Sequence, residues 1–331
     1  MKKKLRMRKN KMAKRPAYSK LCKAIEAGHF VFTGELEPKK ILDLGEIFHS
    51  AEEMKKTGKI VAANVTDGPQ GDAYMSSLAP SYLIQDKVGI EAVWQVTVRD
   101  RNRVALFGDV LSGAVLGLKN ILTLTGDHTA LGDHKRGRPV YDIDSTQFCE
   151  MLSIMIDKGT DYEGNELLGG KIEMNFGCVA NPNSNPREPE ILKVGRKVEQ
   201  SVDFIQTQTA FDIDQAKDFL KDLEQFNVPV LLGVFPLKSY GIAWYFDNYI
   251  PGVSVPKDLL KALKKAEKDN KGNKQGKYAA LDKINIEFFE PFIKEIKKTT
   301  KAAGIHCMAV EYERLFEPLL KDYPKYVENE S

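Results

Sequence analysis

Cysteine is scarce in this sequence. Its 331 residues carry four, Cys22, Cys149, Cys178 and Cys307, far apart and with no C-x-x-C pair. That spacing argues against a zinc or iron–sulfur centre built from this chain alone, so no metal site is expected, and against a disulfide framework. Long apolar runs are missing as well. None approaches the about 20 residues that a membrane helix needs, and the N-terminus lacks the apolar core of a secretory signal. The expected location is the cytoplasm, with no membrane contact. Nor is there a short internal repeat or a Pro/Gly/Ser linker that would divide the chain, so one domain is expected.

What is present is a lopsided charge. The net charge of +3 conceals nine Lys or Arg and no acid within residues 1–15; without those nine charges the body stands at −6. The plain expectation is a disordered, solvated basic tail over residues 1–16, followed by a folded body over 17–325. Contact with a nucleic acid or an acidic partner is the sharper alternative. Met7 and Met12 add a third, a start assigned too early. Nothing elsewhere resembles a nucleic-acid module, so none is expected as a partner.

Through the body, a β-rich run is repeatedly followed by an amphipathic helix. The runs are 30–35, 59–65, 90–96, 121–126, 171–177, 204–208, 228–235 and 305–310. Several are continuously apolar, as strands buried on both faces must be. Leu44, Ile47, Phe48, Ala51 and Met54 recur at helical spacing, with Gly58 as a stop. Asp212 starts another helix, with Gln215 three residues on as in a capping box, and a buried face of Ala216, Phe219, Leu220, Leu223 and Phe226. Residues 187–200 and 278–302 also read as helix, and the polar segment 268–277 as an exposed loop. Eight such pairs predict an α/β fold, a closed (β/α)8 TIM barrel. The open doubly wound sheet normally has a Gly-rich phosphate turn after its first strand; here Leu36, Glu37 and Pro38 stand there.

In such a barrel, chemistry sits where strands run into their following loops. The polar residues there are Glu35, Thr66, Asp67, Gln95, Thr97, Thr125, Asp127, Asn175, Gln208 and Glu311. Each alone is commonly a cap or a turn former. Glu35, closing an apolar strand, reads equally as a solvated acid or ion-pair partner and as a general acid raised by partial burial. Asp127 follows Gly126, which permits a tight turn against a ligand or simply a turn that the Asp stabilises. Gln208 needs partners for its amide, from a heterocycle edge or a backbone carbonyl. The Asn- and Pro-rich tract 176–190 is long for a barrel loop. It leads to Lys197, a solvated lysine or a phosphate ligand.

In this order, these residues resemble the methylenetetrahydrofolate reductase family from about Phe30 to about Ala309. GELEP (34–38) is similar to the family's first-strand motif, which implies that Glu35 is the catalytic acid. VTDG (65–68) resembles the motif after strand two and puts a flavin-contacting threonine at Thr66. LTGD (124–127) resembles the family's Leu-Arg-Gly-Asp, with Thr125 in place of the arginine and Asp127 as the key aspartate beside Gly126. In 190–208 the resemblance implies Lys197 at the flavin phosphate, Glu190 near the ribose and Gln208 on the pterin. VFPLKSYGIAWYFDNYIPGVSVP (234–256) carries Phe246 at the substrate-stacking position. Gln95 stands where many members have a flavin-contacting histidine, Asn181 where His-Pro is common, and strand eight ends in MAVEYER. Asn175, after strand five, completes the expected flavin contacts.

The resemblance thus implies a flavoenzyme of one-carbon metabolism that reduces 5,10-methylenetetrahydrofolate to 5-methyltetrahydrofolate. It implies FAD, with FMN as the alternative, and NADH or NADPH as donor. Glu35 would protonate a bridge nitrogen, Asp127 would stabilise the resulting cation, and Gln208 and Phe246 would hold the folate. Two other readings stay open. One is a partner-dependent flavin subunit, served by an electron-transfer or zinc-containing partner in a homo- or hetero-oligomer. The other is a flavin-free, pterin-binding methyltransferase barrel.

Overall fold

The computed structural model describes residues 15–250 and 252–326. Helix α1 (Lys20–Glu26) precedes the first strand. Then β1 (Val31–Leu36) is followed by α2 (Gly45–Lys56), β2 (Ile60–Val65) by α3 (Leu78–Leu83), and β3 (Glu91–Thr97) by α4 (Arg103–Val115). Next, β4 (Asn120–Leu124) leads to α5 (Ser145–Ser153), β5 (Asn175–Ala180) to α6 (Glu188–Val198), and β6 (Phe204–Thr209) to α7 (Ile213–Leu223). After β7 (Val230–Val234) come α8 (Tyr240–Tyr249), α9 (Lys257–Asp269) and α10 (Lys274–Thr299); β8 (Gly304–Cys307) and α11 (Phe316–Leu319) complete the order. The eight parallel strands close in sequence order, β1 through β8 and back to β1. The (β/α)8 barrel expected from the alternation is what forms.

The strands form because most of their residues are apolar on both sides, and the helices because one stripe is. In α7 the Asp212 carboxylate caps the amides of Asp214 and Gln215, while Ala216, Phe219, Leu220 and Leu223 are buried. Three large side chains at roughly 1.5–3 kcal/mol each outweigh propensity differences of tenths. Gln215 does not reach back to complete a capping box; its amide goes to the Pro182 carbonyl at 3.0 Å. Between β3 and α4 the approach is close: a Cβ at Gly113 would lie 2.6 Å from Cζ3 of Trp94. Only glycine admits the indole there. The indole N–H is satisfied by Ser77 at 3.0 Å.

Four expectations need correction. Strand five begins at Asn175, not Lys171, because β4 begins at Asn120 and offers no earlier ladder partner. Residues 171–174 still alternate exposed and buried, which is the pattern that misled. The polar segment 268–277 is mostly helix: α9 runs to Asp269, and Asn273 caps α10, so only 270–273 connect them. Lys and Gln are good helix formers, and a cap outweighs one glycine. The third concerns the tail. Residues 1–14 lie outside the described residues, but Arg15 is 7% exposed and held under the barrel. The fourth, Asn175 itself, belongs to the site below.

The N-terminal end of the barrel is plugged by α1. Leu21, Cys22 and Ala24 pack on Val31, Val93, Leu122, Phe204 and Leu231. Glu91, the first residue of β3, accepts the amides of Lys20 and Leu21 at 2.7 and 3.0 Å, and Asn120 donates to it at 2.8 Å. A carboxylate at a helix N-terminus satisfies amides that have no partner within the helix. Among the described residues, no helix is long and apolar enough to cross a membrane.

Candidate active site

The opposite end is the mouth, where β1, β2, β3, β4, β6 and β8 deliver most of the expected polar residues. Glu35 sits one residue before the end of β1 with its side chain 13% exposed. Its Oε2 is met by two nitrogens, Nε2 of His306 on β8 and Nε2 of Gln95 on β3, each at 3.2 Å. Below them lies a polar layer inside the barrel. Nδ1 of His306 is 3.0 Å from Oγ1 of Thr33 and 3.4 Å from Nδ2 of Asn64, and Gln206 reaches Thr33 at 3.4 Å. The sequence reading passed over His306. The signal was there: a histidine in an apolar strand buried on both sides must find partners.

The β2, β3 and β4 loops are tied together by charge. Asp67 is buried and accepts the Thr97 amide and hydroxyl at 2.8 and 2.9 Å and Arg101 at 2.6 Å. Burial pushes this carboxyl up, but Arg101 and Thr97 outweigh it and hold it below the ordinary range. Arg99 donates to the carbonyls of Gly68 and Asp127, both at 3.0 Å. Thr125 does not reach into the mouth with charge; its hydroxyl donates to Ser145 at 3.0 Å. Gly126 takes a left-handed φ of +83°, and a Cβ there would press on Arg99 and Thr97 at 3.1 Å. Asp127 is exposed and accepts the Gln70 amide at 2.8 Å. Gln70 in turn receives the Tyr245 hydroxyl at 3.0 Å, linking the β2 loop to α8.

Gln208 is exposed where the β6–β7 register shifts, and its carboxamide oxygen accepts the Thr209 amide at 2.8 Å. Phe246 on α8 packs against Phe235 beyond β7, ring centroids 4.3 Å apart. On the rim, Glu311 takes a left-handed φ of +54° and pairs with Lys39 and Lys238. Hydrogen bonds from Lys238 and Lys39 pull its carboxyl down to about 2. Burial, with the nearby Glu35 and Glu311 charges, pushes Glu37 up against the pull of Lys39.

Other expected residues stand elsewhere. Asn175 opens β5 at the plugged end, where its side chain accepts the Tyr18 and Ser19 amides at 2.8 and 3.1 Å and donates to the Pro16 carbonyl. It is not at the mouth, because the strand starts four residues later than expected. Asn181 and Glu190 bind each other's loop: Glu190 accepts the Asn181 amide at 2.8 Å, and the Asn181 side chain accepts the Asn183 amide at 2.9 Å. Lys197 is 1% exposed, with its ammonium on the Val179 carbonyl at 2.8 Å.

A flavin can be tested against this arrangement. Thr66, just past the end of β2, has a buried hydroxyl with no partner among the described residues. A buried hydroxyl without a partner is costly, and a polar heterocycle edge would satisfy it. Thr66 therefore fits such a group, and Gln95, Gly126 and Asp127 stand on the neighbouring strand ends. Lys197 carries a buried cation on a carbonyl, with no carboxylate paired to it among the described residues, which fits an anionic group reaching its side of β5. Asn175 does not fit.

The sequence profile described as methylenetetrahydrofolate reductase matches residues 20–324. Methylenetetrahydrofolate reductase 2 of Schizosaccharomyces pombe is 22% identical over 303 residues, 86% of this chain and 44% of the relative. A probable methylenetetrahydrofolate reductase (NADPH) of Caenorhabditis elegans is 19% identical over 252 residues, 74% of this chain and 34% of the relative. The chain spans less than half the length of these curated relatives. Among solved structures, a Clostridium thermocellum protein that binds two copies of 5-methyl-5,6,7,8-tetrahydrofolic acid aligns with a TM-score of 0.55 and 14% identity. The alignment covers 91% of this chain and 97% of that one. At that identity the likeness concerns the fold.

Proposed function

The chain belongs to the methylenetetrahydrofolate reductase family, and from that premise we propose that it reduces 5,10-methylenetetrahydrofolate to 5-methyltetrahydrofolate at the barrel mouth. The observation that carries this reading is the setting of Glu35. Its carboxyl is nearly buried, both protein donors meet Oε2, and no protein group among the described residues meets Oε1. An acid held that way can present one oxygen to a substrate nitrogen.

FAD, with FMN as the alternative, would supply the hydride when bound, replenished by NADH or NADPH. Thr66, Gln95, Gly126 and Asp127 would hold it at the mouth, and Lys197 its phosphate side, with Glu190 and Asn181 shaping that loop. Glu35 gives a proton to one nitrogen of the substrate's one-carbon bridge, the C–N bond opens, and the bridge carbon becomes an electrophilic iminium. Asp127, exposed beside that opening, stabilises the cation. Gln208 offers its amide N–H groups to the pterin edge, since its oxygen is already occupied. Phe246, backed by Phe235, stacks on the aminobenzoyl ring. Orientation of the two reactants in one site supplies much of the rate.

The test is Glu35→Gln. It keeps a side chain of the same shape, retains bound flavin, and slows oxidation of the reduced protein by methylenetetrahydrofolate by roughly a hundredfold or more, the usual span for a lost general acid. Undiminished folate turnover in that variant removes Glu35 from the chemistry. A colourless purified protein that nonetheless transfers a methyl group from the folate favours the flavin-free reading.

A further inference from the structure

The polar layer beneath Glu35 has a direction. Each of its members is nearly or completely buried: Thr33 and Asn64 at 0%, Gln206 at 1% and His306 at 3% exposure. Buried polar groups of this kind are hydrogen-bonded where they can be, and donors must face acceptors; here the Asn64 and Gln206 carboxamide oxygens find no partner among the described residues. Asn64 gives Nδ2 to the Gly34 carbonyl at 3.2 Å, which fixes its amide orientation, since the reverse would set two oxygens together. The same Nδ2 faces Nδ1 of His306 at 3.4 Å. Gln206 donates to Thr33 Oγ1 at 3.4 Å, leaving the Thr33 proton for His306 Nδ1 at 3.0 Å. Asn64 thus presents a donor to Nδ1, and Thr33, accepting from Gln206, has its own proton for the same nitrogen. This arrangement favours a neutral ring with its proton on Nε2, the nitrogen that faces Glu35.

We infer that His306, held as this tautomer by Thr33 and Asn64, is a positioning residue that places the transferable proton of Glu35 on Oε1. The inference rests on the reading of Glu35 as the proton donor. His306 and Gln95 both donate to Oε2. An oxygen accepting two N–H groups is poorly suited to carry the hydroxyl proton, so the protonated carboxyl keeps that proton on the other oxygen. Oε1 meets no protein group among the described residues. His306 thus makes one of two equivalent oxygens the acid. The charged and titratable groups around the pair are Glu37 from the β1 loop, Glu311 with Lys39 and Lys238 on the rim, and the buried Cys307 beside His306. None of them is hydrogen-bonded to the imidazole.

The first test is nitrogen-15 NMR of the flavin-loaded protein labelled in histidine. The chain has five histidines, and His306→Gln identifies the signal of interest. The expected result is an Nε2–H tautomer at pH 7. An Nδ1–H tautomer, or an imidazolium at pH 7, overturns the inference. The second test follows oxidation of the reduced protein by methylenetetrahydrofolate as a function of pH. His306→Leu removes the donor; the rate is expected to fall about tenfold or more, the scale of one hydrogen bond to a charged group. The limb of the profile that belongs to Glu35 is expected to move to higher pH, because its carboxylate has lost a donor. His306→Gln, which retains an N–H at that reach, restores much of both. A His306→Leu profile superimposable on the parent refutes the role. Glu35→Gln run alongside separates the failures: if it retains turnover, the reading of Glu35 fails. If it loses turnover while His306→Leu does not, only the present inference fails. Should His306→Leu not fold, the tautomer of the parent protein still decides.

Discussion

Replacing Arg15 by alanine tests whether the chain is anchored where its basic tail meets the barrel. The guanidinium makes a forked contact with Asp157 at 2.8 and 2.9 Å, meets Asp203 at 2.5 Å and the Ser201 carbonyl at 3.2 Å, and lies 4.4 Å over the Phe176 ring. The three side chains are 2%, 18% and 13% exposed. A surface pair would be worth roughly 0–1 kcal/mol. Removing one partner of a buried pair costs about 3–5 kcal/mol, because the other charge stays buried without compensation. For a chain of this size the unfolding entropy is about 0.7 kcal/mol/K, so the melting temperature should fall by about 4–7 °C. Burial already pushes the Asp203 carboxyl up against the pull of Arg15; without the arginine it rises further. A carboxyl whose folded value lies above its unfolded value costs stability above the folded value and regains it as pH falls. The deficit of Arg15→Ala is therefore greatest at pH 7 and narrows as pH falls towards and through the folded value of Asp203. Urea unfolding across that range measures it. A loss below about 1 kcal/mol, unchanged with pH, would refute the anchoring argument.

Two further outcomes are expected. Asp67→Asn keeps an oxygen for Thr97 but removes the charge facing Arg101, and should cost about 1.5–3 kcal/mol at pH 7, the value of a hydrogen bond to a charged group. Since the folded Asp67 is held below its ordinary value, its contribution is present above the unfolded value of about 3.9 and lost as pH falls through the folded one. The gap between parent and variant in urea titrations should close accordingly, and a gap that widens in acid contradicts the assignment. Lys197→Met retains the buried hydrocarbon and removes a cation whose protein partner is the Val179 carbonyl. Stability should hold or rise, since a desolvated charge is removed. Flavin affinity, read by fluorescence on dilution, should fall about tenfold or more; unchanged affinity removes Lys197 from the phosphate site.

The barrel was legible because its signals are redundant. Eight apolar runs separated by stripes such as Ile47, Ala51 and Met54 admit few architectures, and misplacing β5 by four residues leaves the count intact. The same error is fatal for a single residue. Asn175 passes from one end of the barrel to the other when the strand start moves, because position along a parallel strand decides which face a side chain serves. Arg15 was illegible for a related reason. In sequence it is the last of nine positive charges, and only the fold brings Asp157 and Asp203, 142 and 188 residues away, beneath it.

The mouth divides along the same line. Glu35, Thr66, Asp67 and Gln95 could be named in advance because a polar residue near the C-terminal end of a barrel strand has few places to go. Their environments could not. Asp67 ends in a buried ion pair and Thr66 with a hydroxyl that has no partner among the described residues, although they are adjacent in sequence. His306 shows what decides between such fates. It pairs in register with Thr33 of β1 and Gly233 of β7. The threonine hydroxyl lies 3.0 Å from its Nδ1. A histidine on that strand without a polar neighbour in register would have to turn elsewhere. The acid and the imidazole that aims it lie 271 residues apart, and they meet because β8 closes the barrel on β1. Closure of the sheet therefore makes the proposed proton donor, and opening the β1–β8 seam should abolish the folate chemistry before it unfolds the chain.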